Sequence, residues 1–271
     1  MSAADQRDAP IVVERRDTIV IARLNRPATR NAIDEEMGPA LVQLCADVNA
    51  DLGVRCMVLT GNGPAFCAGG NVKDMHARNG MYAGPAAEIR RAFHAAIQQV
   101  PLAFNALEVP VVAAVNGPAV GAGFDLSLMC DIRIASESAT FAESFVRLGL
   151  VSGDGGAWWL TRIAGAARAY QMTLTGESIT AAQALDWGIV SSVTSNERLL
   201  GDALAIATRI AQHPPHSLRL NKRMLRDAER SSLESHLQLA ASLQAIALHT
   251  DDLREGVAAA LEKRPPVFRG S

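Results

Sequence analysis

In the stretch SFVRLGLVSGDGG, residues 144–156, one carboxylate, Asp154, stands among glycines at 153, 155 and 156. Glycine is common where a backbone turns tightly or approaches a ligand closely. A carboxylate in such a turn has two uses. It can cap the helix that runs on through Trp158 and Trp159, a role for which aspartate is strongly favoured. It can also move protons for a bound substrate. Two further segments bear on that choice, FCAGGN at 66–71 and NGPAVGAGFD at 116–125. Each follows an apolar strand-like run and leads, through small residues, into a helix. The N–H groups of a helix's first turn are unpaired and carry partial positive charge. Two such turns side by side can aim two donors at one oxygen, which stabilises an enolate developed on a carbonyl compound. The small residues Ala68, Gly69, Ala122 and Gly123 fit that reading, because a branched side chain would block the carbonyl. They equally fit two tight strand-to-helix turns that simply pack closely.

The elements that position these loops follow from the apolar pattern. Two β-branched runs flanking Arg16-Asp17 predict a hairpin over 11–24. Asp34 is a candidate N-cap, and Met37, Leu41, Leu44 and Val48 follow at helical spacing. Apolar runs at 55–61, 110–117 and 131–136 predict buried strands, and Asn71 is placed to cap a helix from Val72. Residues 85–107 have a helical pattern. Strands and helices alternate to about residue 195, which implies an α/β architecture with parallel strands. Only helical patterns follow. The expected division is therefore a core over 1–195 and a helical region over 196–271.

The 271 residues are 49% hydrophobic and 20% charged, in the range of a soluble globular domain. Lys+Arg at 26 against Asp+Glu at 28 gives a net charge of −2, which argues against nucleic acid as a partner. Cys45, Cys56, Cys67 and Cys130 form no CxxC pair and sit in apolar runs, so they read as reduced thiols in a cytoplasmic protein. No metal-ligand cluster is visible. The polar start MSAADQRDAP lacks the apolar stretch of a secretory signal, and no apolar run reaches membrane-spanning length.

Five blocks, in order, are similar to the crotonase (enoyl-CoA hydratase/isomerase) superfamily: LNRPATRNAID, FCAGGNVKDM, VPVVAAVNGPAVGAGFDLSLMCDIRIAS, LTGESITAAQALDWGIVSSV and DDLREGVAAALEKRPPVF. The resemblance covers nearly the whole chain. It implies a spiral of ββα turns, a C-terminal helical region that builds homotrimers or hexamers, and an acyl-CoA thioester substrate. Coenzyme A then enters as part of the substrate, and no separate cofactor is expected. The family's two oxyanion donors fall on the backbone N–H groups of Ala68 and Ala122, where the second is usually glycine. CoA contacts fall on Arg26, Arg30, Lys73 and the loop Cys67, Ala68, Gly69, Gly70, with Gly121 and Phe145 on the acyl side. Lys263 and Phe268 are expected to touch a neighbouring subunit's CoA.

Hydratases of this family carry two catalytic glutamates. The first position falls on Asp125, in the otherwise apolar AGFDLSLMC, where burial should raise its pKa. The alternative for Asp125 is an ordinary first-turn carboxylate favoured by the helix dipole. The second position falls on Phe145, which cannot transfer a proton, so ordinary hydration is in doubt. Glu143 is the nearest carboxylate, at a position where the family has another kind of side chain. In family members that isomerise double bonds, the matching aspartate aligns with Gly153, one residue before Asp154. The implied activity is double-bond isomerisation or atypical hydration with Asp125 and Asp154 as the proton-handling pair. The alternative is an acyl-CoA-binding protein that has lost its chemistry.

Overall fold

The computed structural model describes residues 8–271; most of the polar N-terminal stretch read above lies outside them. The hairpin forms as expected from β1 (Ile11–Arg16) and β2 (Ile19–Leu24), turning through Asp17 in the left-handed region. Next come α1 (Met37–Ala50), β3 (Cys56–Gly61), α2 (Val72–Ala77), α3 (Ala86–Ala95) and α4 (Gln99–Ala106). Asp34 Oδ1 accepts the amides of Glu36 and Met37 ahead of α1, and Asn71 caps α2 by accepting from Lys73.

The chain continues through β4 (Val111–Val115), β5 (Ala119–Val120), α5 (Ala122–Leu128), β6 (Ile132–Ser136) and β7 (Thr140–Ala142). Then follow α6 (Gly156–Thr175), β8 (Ser178–Thr180), α7 (Ala181–Asp186), β9 (Ser192–Thr194), α8 (Leu199–Ala211), α9 (Pro215–Ala228), α10 (Leu233–Leu248) and α11 (Asp251–Glu262). The helical pattern over 85–107 forms two helices, α3 and α4.

Six strands form one sheet in the order β1-β2-β3-β4-β6-β9, parallel from β2 onward. A second sheet, β5-β7-β8, stands apart from it. Its strands are only two or three residues long and carry no readable alternation, so the sequence pattern misses all three. The large sheet is buried on both faces. Met57 and Leu59 of β3 face the main core with α1 and α4, whereas Cys56 and Val58 face Leu199, Ala203 and Ala207 of α8. Those three residues recur every four positions and so form one helical stripe. α8 is thus a layer of the core, and the helical region proper begins with α9. All four cysteines are buried and unpaired, and burial pushes each thiol up to about 12.

Candidate active site

The two glycine-rich loops dock backbone to backbone. Cys67 accepts from the amide of Val120 at 3.0 Å, and the amides of Phe66 and Cys67 both reach Pro118 O. Gly69 has φ of +86°, and a Cβ there would lie 2.5 Å from Val120 O and 3.3 Å from Ala122 N. Only glycine permits that approach. The first turn of α5 is thereby fixed against the 66–71 loop. Ala122 opens α5, and its N–H has no acceptor among the described residues. The amide expected to pair with it is not free. The N–H of Ala68 is already given to Arg30 O at 2.9 Å. Gly70, two residues on, has no acceptor for its amide among the described residues. The loop that pairs Gly70 with Ile33 turns Ala68 away and leaves the Gly70 amide free.

Asp125 follows Ala122 by one helical turn, with 0% exposure. Two other carboxyls meet it there, Glu143 at 1% and Asp154 at 5%. Each comes from a different element: Asp125 from α5, Glu143 from just beyond β7, and Asp154 from the turn before α6. Ser152 links two of them. Its hydroxyl accepts the Gly156 amide at 2.8 Å and stands 3.1 Å from Asp125 Oδ2 and 3.4 Å from Asp154 Oδ1. Asp154 therefore faces inward to Ser152, and it is Ser152 that takes the first amide of α6. The N-cap of that helix is Gly155, which adds no side-chain bond. Gly156 is needed for the same reason as Gly69: a Cβ there would fall 2.1 Å from Asp125 Oδ1.

With all three acids ionised, Asp125 Oδ1 and both Glu143 oxygens have no donor. Buried charge without a partner is costly, and like charges at contact disfavour ionisation further. All three carboxyls are held above the ordinary range, first by burial. For Asp125 the charges of Asp154 and Glu143 add to it. Glu143 is pushed up to about 7. A proton on one acid turns the Asp125–Glu143 contact into a hydrogen bond, so the trio holds fewer than three charges near neutral pH.

Aromatic side chains close the space between the loops. Tyr82 and Phe93 meet edge to face with centroids 6.1 Å apart. A Cβ on Gly70 would lie 3.1 Å from Tyr82 Oη, and one on Gly153 would lie 3.1 Å from Phe93 Cε1. The pair therefore spans from the free amide to the carboxyl turn. Phe145, partly buried, stands at the start of α5, its Cζ 3.6 Å from a Cβ built on Gly121. Beyond Asp154 a cleft of about 650 Å³ opens, lined by Gly153, Gly155, Gln98, Trp158 and Trp159 among others.

A family model described as enoyl-CoA hydratase/isomerase matches residues 14–271. The chain belongs to the enoyl-CoA hydratase/isomerase family. It is 38% identical over 252 residues to 1,2-epoxyphenylacetyl-CoA isomerase of Escherichia coli (strain K12), covering 93% of this chain and 95% of that protein. It is 36% identical to 2,3-dehydroadipyl-CoA hydratase of the same organism, over 96% and 98% of the two chains. Among solved structures, an enoyl-CoA hydratase from Bacillus anthracis superposes with a TM-score of 0.90 at 32% identity, covering 97% of this chain and all of that one.

The remaining CoA candidates of this hydratase/isomerase family member separate in space. Lys73 is exposed on α2, and Arg30 is exposed beside the loop that its carbonyl anchors. Arg26 is not a free cation, because Glu36 takes its guanidinium at 2.6 Å. Lys263 ends α11 in a left-handed turn, and Phe268 packs beside Gly256 of the same helix, within its own chain. Glu143, Ser152, Tyr82 and Phe93 are the site residues that sequence reasoning underweights or misses. For Glu143 the signal is its place two residues before Phe145. Ser152 offers one only as a hydroxyl two residues from Asp154.

Proposed function

We propose that this family member shifts a double bond in an acyl-CoA through a thioester enolate. The observation that carries the reading is the buried trio Asp125, Glu143 and Asp154, one helical turn from the unpaired amide of Ala122. A thioester carbonyl delocalises poorly, so its α-protons are acidic enough for a carboxylate base. The amides of Ala122 and Gly70 receive the enolate oxygen, and such a donor is worth about 3–4 kcal/mol of barrier. Asp125 takes the α-proton and Asp154 returns one to the far carbon of the allylic system. A raised pKa suits both groups, because burial moves each carboxyl up from its ordinary acidic range, toward the pH where one group can serve as base and as donor. Phe145 fills the second glutamate position with apolar surface and keeps an ordered water from that place. A binder without chemistry would have no use for three desolvated acids, whose burial weakens the fold.

Coenzyme A enters with the substrate, and the subunits are proposed to assemble as trimers or hexamers. Atypical hydration is the second reading, favoured by one observation: both Glu143 oxygens lack a donor and could hold water with Asp125. Absorbance of the conjugated enoyl thioester separates the readings. A 3-enoyl-CoA should give a rising signal with purified protein, and Asp125→Asn should slow it by about 10²–10⁴-fold. Brisk loss of signal from crotonyl-CoA would instead favour hydration. Tight binding of both esters with no change in either would leave only the binder.

A further inference from the structure

Tyr82 closes a one-turn 3-10 helix, Gly80–Tyr82, and gives its own amide to Asn79 O at 3.1 Å. Its neighbour Met81 is buried, and its own ring is partly buried against Phe93 of α3, with the two ring planes 71° apart. Backbone and ring are thus both held, which fixes where the hydroxyl points. Tyr82 Oη has no hydrogen-bond partner among the described residues. A tyrosine hydroxyl drawn inside a protein usually finds one. What it meets instead is Gly70. The space that a Cβ on Gly70 would fill is taken by Tyr82 Oη at 3.1 Å and Met75 Cε at 2.6 Å. The amide nitrogen of Gly70 is bonded to that same α-carbon, and its N–H also lacks an acceptor among the described residues. Two unpaired donors, one of the backbone and one phenolic, therefore stand side by side at the mouth of the carboxyl cluster.

We infer that Tyr82 is a further catalytic residue, whose hydroxyl donates a hydrogen bond to the thioester oxygen as that oxygen becomes an enolate oxygen. The inference rests on the enolate reading above. A carbonyl oxygen has two lone pairs, and in the bound ester the amides of Ala122 and Gly70 satisfy both. When Asp125 takes the α-proton, the C–H electron pair forms the new carbon–carbon double bond and the carbonyl π pair moves onto oxygen. That oxygen then holds a third lone pair and a negative charge, and the Tyr82 hydroxyl answers it. The contact is stronger in the transition state than in the ester, which is the kind of contact that raises kcat. Burial first, then the charges of Asp74 and Asp154, hold the Tyr82 phenol above its ordinary range. It therefore keeps its proton and stays a donor throughout. The only proton that moves in this step goes from carbon to Asp125, and no other reactant is needed.

Tyr82→Phe is the test, because it removes one oxygen and keeps the ring against Phe93. Turnover is followed with a 3-enoyl-CoA by absorbance, and enolate formation alone by loss of deuterium from α-deuterated butyryl-CoA in ordinary water. Tyr82→Phe should lower kcat for the first and the exchange rate for the second by about a hundredfold, the low end for one lost oxyanion donor. KM, the calorimetric Kd for butyryl-CoA and the melting temperature should stay at their wild-type values. That split separates a contact made only in the transition state from one made to the bound ester. Comparison of α-deuterated with ordinary 3-enoyl-CoA should show a full primary isotope effect on kcat in the variant, because removal of the α-proton is the step made slower. Wild-type rates in Tyr82→Phe overturn the inference. So does a raised KM or Kd at unchanged kcat, which would make the hydroxyl a binding group for the ester. Loss of kcat together with a lowered melting temperature is the mark of a structural role and overturns it too. If wild type binds butyryl-CoA yet neither exchanges its deuterium nor isomerises the 3-enoyl ester, the enolate reading itself fails and the role of Tyr82 falls with it.

Discussion

Glu143 is buried to 1% with neither oxygen bonded to a donor, and its carboxyl titrates near 7 against an ordinary 4.5. Between those values the folded protein binds more protons than the unfolded chain. Stability therefore falls as pH rises from about 4.5 to 7, by about 3 kcal/mol if the whole shift is expressed. Glu143→Gln should be more stable than wild type at pH 8 and little different at pH 4.5, as read by urea unfolding at both values. Equal stability at pH 8 would mean that Glu143 is not desolvated in solution. Phe145 makes a second residue-scale case. If its apolar ring is what suppresses hydration, Phe145→Glu should raise the crotonyl-CoA hydration rate. An unchanged rate would move the cause elsewhere, to the shorter reach of Asp125.

At the scale of elements, the site depends on how closely α5 and α6 approach. Gly156, the first residue of α6, lies against the Asp125 carboxyl, and a Cβ would fall 2.1 Å from Oδ1 and 2.4 Å from Cγ. Both groups are anchored on helices, so neither gives way easily. Alanine normally stabilises a helix relative to glycine by about 1 kcal/mol. Here Gly156→Ala should instead lower the melting temperature and turnover together. A variant that is stabilised and fully active would show that α6 stands farther from Asp125 than described.

At the scale of the molecule, the C-terminal segment is tied back onto the core. Arg55 donates to Ala211 O at 3.0 Å and to Phe268 O at 2.6 Å, and Asp252 accepts the amides of Arg269 and Gly270. Asp252 is itself buried, so Asp252→Ala removes two charge-assisted bonds at once. It should cost about 2–4 kcal/mol and open the tail to tryptic cleavage after Lys263, visible as a shortened product by mass spectrometry. The surface also carries apolar residues beside the site: Leu148, Leu150 and Val151, the last 84% exposed. Contiguous apolar surface of this kind is typical of subunit contacts. Sedimentation of the purified protein should report a trimer or hexamer, and Val151→Asp should shift it toward smaller species. A wild-type monomer would remove that surface from any assembly.

The hairpin over 11–24, the caps Asp34 and Asn71, the parallel strands and the two small-residue loops were legible in the sequence. Each is set by local chemistry: β-branched runs, capping side chains, or the need for a small residue at a close approach. The five motif blocks carried the family as well. What local pattern could not decide was which groups meet. Ala68 and Gly70 are two residues apart in the same loop, and only the pairing with Ile33 and Arg30 determines whose amide stays free. α8 reads as part of a helical tail until its stripe is seen against β3 and β4. Glu143 looks like a carboxylate at an unhelpful position, because strand alternation says nothing about what lies beyond β7. Asp154 could cap α6 or enter the site, and the sequence left the two roles evenly balanced. Tertiary structure supplied Ser152 to take the α6 amide, and that freed Asp154 to join Asp125 and Glu143. Convergence of three acids from three elements is a long-range property, set by how α5, the segment after β7 and the turn before α6 pack, and no short window of sequence encodes it.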